Sequence, residues 1–519
     1  MSDQTTGHRI RLFVAGFRAF VAKDPVLIAL LAAGAFIWAV VFLQACGNFG
    51  GIRPLRAVWS GSGILNFAGM TVPYCLEGWA DYDYYYVTWA DQFLIGKFPY
   101  TDEFNLALID GSEYRTPYFF PPMFLYLCVI GRVLPLQPYG IGLLITLFGF
   151  LTAFPIYRIT NYLSGSRLAA DLAVLTYLFN PLVLYHTVFE WLNPSPFVFF
   201  AMMSFSLMMG GHRSLGILSM VTAALFKQTA FFLLLPVLAY ILKKPPAPHS
   251  NGPSAKHDSK MLPSDKLDPK AFLKDGILAG VYIAAVSLPY LVNPWNYVYS
   301  VLLKIGGMNI QDFSGPPAGN MPITFTVVFI VAGAPEWLCW LVNFICFYSI
   351  GLLAGVLLPL VKMLLEVKDD SNLRVYWRRM LYYTLIMIIC VHLFSPRGVY
   401  KYYFVALMPL LSILAVGAMF SRSGEDVKPS AGMILWPFVW SLLILMPDRN
   451  VYLVFVALML AVYVAGPKMS PLVPKWRMGE RTLSGRSDDT GPRIQEVNLP
   501  GDLRRSVLQV PSVSSRFSS

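Results

Sequence analysis

An all-α polytopic membrane protein is what this sequence predicts, and three observations carry that expectation. Of its 519 residues, 56% are hydrophobic and 13% charged, about half the charged share of a soluble globular domain. Mean hydropathy is +0.56. The apolar residues gather into runs of about 20, each able to cross a ~30 Å hydrocarbon core as a helix that satisfies its own backbone. The formal net charge of +11 collects at the N-terminus, in a few connections and in the tail. That pattern fits cytoplasmic faces held against anionic lipid and gives no reason to expect nucleic acid as a partner.

Taken in order, residues 1–24 form a basic juxtamembrane segment, with Arg9, Arg11, Arg18 and Lys23 set among Ile10, Leu12, Phe13, Phe17 and Phe20. They are too charged for a signal peptide, so the apolar run 26–45 is expected as an uncleaved anchor. Further spans are expected near 118–135, 139–157, 168–186, 195–211, 214–242 (with a break), 272–292, 322–361 (more than one element), 379–395, 402–420, 432–447 and 450–466. The bundle therefore holds about 11–13 transmembrane helices within one domain, 25–466. Lys243–Asp275 carries seven Lys against four Asp, and Val361–Arg379 five basic against three acidic residues. Both connections, the linker 243–271 among them, belong in the cytoplasm. So does the Ser/Pro/Arg-rich tail 467–519, whose composition cannot bury a core. The large first loop, 46–117, is then outside or lumenal, and short helices are expected in it.

That loop holds eight carboxylates against four Lys/Arg. At its centre runs Trp79-Ala-Asp81-Tyr-Asp83-Tyr84-Tyr85-Tyr86-Val-Thr-Trp89-Ala-Asp91, and Gly96-Lys-Phe-Pro99-Tyr100 and Tyr114-Arg115-Thr-Pro117-Tyr118-Phe-Phe-Pro121-Pro122 follow. In an extended stretch Asp81 and Asp83 share one side and can address one ligand. One of them is a candidate general base, a role worth ~10²–10⁴ in rate; alternatively Asp83 simply caps the helix that follows. Tyr84, Trp89, Tyr114 and Arg115 are candidate ligand contacts, although Tyr and Trp also collect at membrane interfaces whatever the function.

Three further groups bring charge to the membrane. Lys227-Gln228 interrupts the apolar run 215–242; a Lys there either snorkels at a span end or meets a lipid-linked phosphate. In Ser395-Pro-Arg397-Gly-Val-Tyr400-Lys401-Tyr402-Tyr403, Arg397 and Lys401 can clamp a phosphate beside Tyr402, or merely mark a cytoplasmic turn. Glu190 lies four residues after His186 on a helix end and either pairs with it or joins the site. The six cysteines (Cys46, Cys75, Cys128, Cys339, Cys346, Cys390) show no metal-ligand spacing, and no Walker or Rossmann fingerprint occurs.

The acidic Asp81-Tyr-Asp83-Tyr84 element after the first span, followed by Gly96-Lys-Phe-Pro99-Tyr100 and Tyr118-Phe-Phe-Pro121-Pro122, resembles the GT-C superfamily of membrane glycosyltransferases. It is most similar to the polyprenyl- or dolichyl-phosphate-mannose-dependent mannosyltransferases, including the enzyme of the first GPI mannosylation. The stretch Pro181–Ser195 departs from the GPI enzymes in lacking their Arg-Gly-Asn-type motif. The resemblance implies a GT-C-like bundle, active on the outer or lumenal face of a plasma or endoplasmic reticulum membrane. It also implies transfer of a hexose, typically mannose, with inversion from a lipid-linked sugar donor to a glycan, glycolipid or protein acceptor. Asp81 or Asp83 would activate the acceptor, and Lys227, Arg397 and Lys401 would stabilise the phosphate. No cofactor is then required, and two carboxylates alone hold a divalent cation only weakly. The rival expectations are a polytopic transporter or lipid-linked-oligosaccharide flippase, and a catalytically inactive scaffold subunit.

Overall fold

The computed structural model describes residues 24–49, 62–67, 70–75, 81–101, 104, 106–107, 113–114, 118–243, 267–303, 325–366, 368, 373–395, 400–419 and 431–445. The juxtamembrane segment, the linker, the apolar run 450–466 and the tail fall wholly or mostly outside them.

Helix α1 (Pro25–Phe49) leads into the first loop, where β1 (Ser62–Phe67) pairs antiparallel with β2 (Met70–Cys75). A π-wound segment, Tyr82–Val87, runs straight into α2 (Thr88–Leu94), and a second small pair, β3 (Leu106–Ala107) with β4 (Glu113–Tyr114), follows. These two hairpins are additions to the short helices expected of the loop. Six helices come next: α3 (Pro122–Val133), α4 (Gly140–Leu151), α5 (Ala153–Ser164), α6 (Arg167–Leu178), α7 (Pro181–Phe189) and α8 (Pro194–Met209). They are followed by α9 (Arg213–Phe226), α10 (Ala230–Ile241), α11 (Pro269–Ser287), α12 (Pro294–Val298), α13 (Phe325–Val331) and α14 (Glu336–Phe347). The last are α15 (Ile350–Leu365), α16 (Leu373–Leu393), the 3₁₀ turn Lys401–Leu407 running into α17 (Met408–Ala415), and α18 (Ala431–Leu445).

The molecule is an all-α polytopic membrane protein. Pro25–Cys46, Gly140–Ser164 and Pro269–Tyr290 are each long and apolar enough to cross a bilayer. The bent pairs α6–α7 (44°) and α14–α15 (62°) add two spans if each is counted as one, and the described residues hold six further apolar helices of 10–17 residues. Many predicted spans are thus present but broken or shorter than the ~20-residue template. The breaks have local causes. Asn180 ends α6 and caps α7, its Oδ1 accepting from the backbone N–H of Leu182 (3.0 Å) and Val183 (3.2 Å). Ser441 Oγ donates to the same oxygen at 2.8 Å, which ties that bend to α18.

Close packing fixes the site-bearing half. A Cβ on Gly131 would lie 2.6 Å from the backbone of Ile141, so only glycine lets α3 and α4 cross this tightly. Trp38 on α1 donates its indole N–H to the Leu178 carbonyl at 2.7 Å. The rings of the first loop form a buried aromatic core: Trp89 stands edge-on to Tyr118 (5.1 Å) and Phe120 (5.8 Å), and Tyr86 to Phe124 (4.9 Å). Such pairs are worth ~0.5–1.5 kcal/mol each beyond their buried area. The Gly-x-x-Pro-Tyr motif has a clear local task. Gly96 takes φ +86° to end α2; Tyr118 N–H then donates to Pro99 O (3.0 Å) and Tyr100 Oη to Phe120 O (2.9 Å). Loop and α3 are locked together, and Arg132 adds a two-pronged pair to Asp91 with its shorter arm at 2.6 Å.

Candidate functional site

Four segments remote in sequence meet at one polar cluster inside this apolar frame. The first is the start of the loop helix, Asp81 with Tyr82 and Tyr86. Asp81 is helical (φ −56°, ψ −35°) and opens the π-wound segment. This corrects the extended geometry expected for Asp81 and Asp83: on a helical winding, positions i and i+2 do not share a face. The capping alternative falls as well, because the N-cap position is held by Asp81 and makes no side-chain cap bond. The side chains of Asp83, Tyr84 and Tyr114, and the whole of Arg115 and Arg397, lie outside the described residues.

The second segment is α7 and the turn after it. Leu184–Phe189 is π-wound, a winding that is frequent at functional sites. His186 Nδ1 lies 2.5 Å from Glu190 Oε2, with both side chains about 5% exposed. Trp191 follows at φ +54°, a left-handed conformation costly for a bulky residue. Its ring fills the space above Gly142, where a Cβ would sit 2.4 Å from the indole, and packs 4.7 Å from Tyr82. Trp191 therefore connects the Asp81 segment to Glu190.

The third segment is the gap between α9 and α10. Lys227 closes α9 in extended geometry (φ −154°, ψ 138°), which confirms the break expected there. It does not snorkel. The residue is 6% exposed, and Nζ donates to Asn193 Oδ1 at 2.6 Å. It lies 4.5 Å from the Tyr403 ring centre and 5.0 Å from that of Tyr402, distances typical of a cation over an aromatic face. The half-buried Gln228 donates its amide to Phe119 O and Val301 O, which braces the loop.

The fourth segment, Lys401–Leu407, brings Tyr402 and Tyr403. Tyr402 is edge-on to His186 at 6.4 Å, while His392 on α16 stacks on Phe404 behind them. Lys401 is partly buried next to Tyr402.

Electrostatics tie the cluster together. Burial raises the Asp81 carboxyl from 3.8 to about 6; Glu190 adds to the rise and Lys227 opposes it. The Asp81 charge also reaches the hydroxyls of Tyr86 and Tyr402. Asp81, Glu190, Lys227 and Tyr402 are thus brought together. Trp89 is not: at 2% exposure it is core. Asn193 and Tyr403 join as residues absent from the sequence-based selection. The signal for Asn193 was slight, a polar residue before Pro194 that reads as a helix cap, though the structure gives it no capping bond. Among the described residues no group of three or more His, Cys, Asp or Glu could hold a metal ion.

With this geometry in hand, comparisons with known proteins place a family model over part of the cluster. The model described as GPI transamidase subunit PIG-U matches residues 108–329, a stretch that includes His186, Glu190, Asn193 and Lys227. No curated protein matches the chain. Among solved structures it is similar to the Archaeoglobus fulgidus oligosaccharyltransferase in its apo form, with 11% identity, 81% of this chain and 55% of that chain covered, and a TM-score of 0.38. The same enzyme tethered to an acceptor peptide containing the NVT sequon gives 12%, 84%, 55% and 0.36. The chain spans about half the length of that oligosaccharyltransferase.

Proposed function

We propose that this chain is a membrane subunit of a GPI transamidase-type assembly in the endoplasmic reticulum, and that the Asp81–Glu190–Lys227 cluster holds the polar head of a lipid-linked glycan. The observation that carries this reading is the overlap of the PIG-U match, residues 108–329, with the Glu190–Asn193–Lys227 part of a buried cluster of sugar-compatible chemistry. The Asp81 and Glu190 carboxylates accept hydroxyl hydrogen bonds, and the Lys227 ammonium, set over the Tyr402 and Tyr403 rings, balances a phosphate. A lipid-anchored ligand reaches such a site from the bilayer, so no nucleotide loop is needed. The partners are the remaining subunits, the glycolipid and membrane lipid.

One observation favours a second reading, hexosyl transfer from a polyprenyl- or dolichyl-phosphate sugar. A carboxylate held at about 6 is a stronger base than an ordinary aspartate. Asp81 would take the proton of the acceptor hydroxyl, and Lys227 with Lys401 would stabilise the departing lipid phosphate.

Depleting the chain from cells and resolving radiolabelled glycolipids separates the two. A transamidase subunit leaves the completed GPI lipid to accumulate, with proproteins that keep their C-terminal hydrophobic tail. A hexosyltransferase leaves a lipid one hexose short and no completed GPI. An unchanged glycolipid and proprotein profile would refute both.

A further inference from the structure

The His186 ring is the part of the cluster that this reading leaves without a task. It is 4% exposed and carried on the π-wound half of α7. Its Nδ1 is taken by Glu190 Oε2 at 2.5 Å, while its Nε2 is buried with no hydrogen-bond partner among the described residues. Glu190 thereby takes up Nδ1, which leaves Nε2 as the ring atom open to a further partner. A buried ring nitrogen without a partner is costly, and the Glu190 contact holds this one in place. The ring also stands edge-on to Tyr402, the same ring that faces Lys227 Nζ at 5.0 Å.

We propose that His186 Nε2 is a hydroxyl subsite: it hydrogen-bonds a hydroxyl of a sugar or other polyol head group whose phosphate is balanced at Lys227. The inference rests on the glycolipid reading above and sharpens it, because a hydroxyl can both donate and accept and so suits a ring nitrogen oriented by Glu190.

The test uses the full-length chain in detergent and two probes with equal phosphodiester charge and equal acyl chains, phosphatidylinositol and phosphatidylethanol. Occupancy is read by native mass spectrometry. The wild-type chain should prefer the polyol lipid about tenfold, the share of affinity one hydrogen bond commonly supplies. In His186→Asn the amide keeps a donor near the Nδ1 position for Glu190 but has nothing at Nε2. That variant should lose the preference and bind phosphatidylethanol as before. His186→Gln, whose carbonyl oxygen can reach the Nε2 position, should retain part of the preference, and it serves where the Asn variant does not fold. Equal preference in wild type and His186→Asn overturns the proposal. So does a wild-type chain with no preference, whether both lipids bind alike or neither binds. The cell-depletion result is read separately, so accumulation of completed GPI lipid alongside a failed lipid preference would sink the His186 subsite alone.

Discussion

Asp81→Asn stabilises the protein at neutral pH while removing its function in handling glycolipid. The physical reason is the displaced acidity of this carboxyl, about 6 against an ordinary 3.8. Folding favours the protonated form, because burial and Glu190 both oppose the charge. Stability is therefore fullest below the unfolded value near 4 and falls as pH rises through about 6. Above that pH the ionised Asp81 costs up to about 2–3 kcal/mol, which the neutral, isosteric amide does not. Thermal unfolding of the full chain should show the variant more stable at pH 7.5, with the difference shrinking towards zero as pH falls to 4. Loss of glycolipid handling in the same variant would identify Asp81 as a residue kept for function at the expense of stability. A variant less stable than wild type at pH 7.5 contradicts this assignment.

Lys227→Met has the opposite sign. Removing the ammonium strips Asn193 Oδ1 of its 2.6 Å donor, takes the cation from the Tyr402 and Tyr403 faces, and leaves the Asp81 and Glu190 charges uncompensated. A loss of about 2–4 kcal/mol is expected, as for other buried charges deprived of a counter-charge. Asp81 acidity should weaken further, above 6, since Lys227 is the group that holds it down. The double variant Asp81→Asn/Lys227→Met should recover stability beyond the sum of the single effects, by at least about 0.5–1 kcal/mol. Additivity of the two changes would mean that Asp81 and Lys227 do not share a site.

Composition and hydropathy made the helical frame legible. The run expected at 26–45 is α1 (Pro25–Phe49), the expected span at 195–211 is α8 (Pro194–Met209), and the break in 214–242 falls at Lys227. A hydropathy window reads how much apolar surface a stretch carries. It does not read winding, which is why the π-wound segments under Asp81 and His186 were invisible and Asp81 was set on an extended strand. It is also blind to contacts across the chain. Nothing in the local sequence says that Asn193 meets Lys227, 34 positions away, or that Gly142 is small because Trp191 lies on it. Trp89 shows the converse error. An aromatic in an acidic loop resembles a sugar platform, yet here the neighbouring rings Tyr118 and Phe120 enclose it. Lys227 was legible for a sound reason: a lysine within an apolar run costs too much to stay there without partners.

The central claim, that these four segments form one glycolipid-bearing cluster, is tested most directly by photocrosslinking. A benzophenone amino acid replaces Tyr402 in the full-length protein in its native membrane, and Leu358 on the outward face of α15, 68% exposed, serves as the control position. Irradiation should attach a glycan-bearing lipid at position 402 and only ordinary bilayer lipid at 358, and Lys227→Met should abolish the glycolipid adduct. The same lipids captured at both positions, or a glycolipid adduct at 402 that survives Lys227→Met, would contradict the claim.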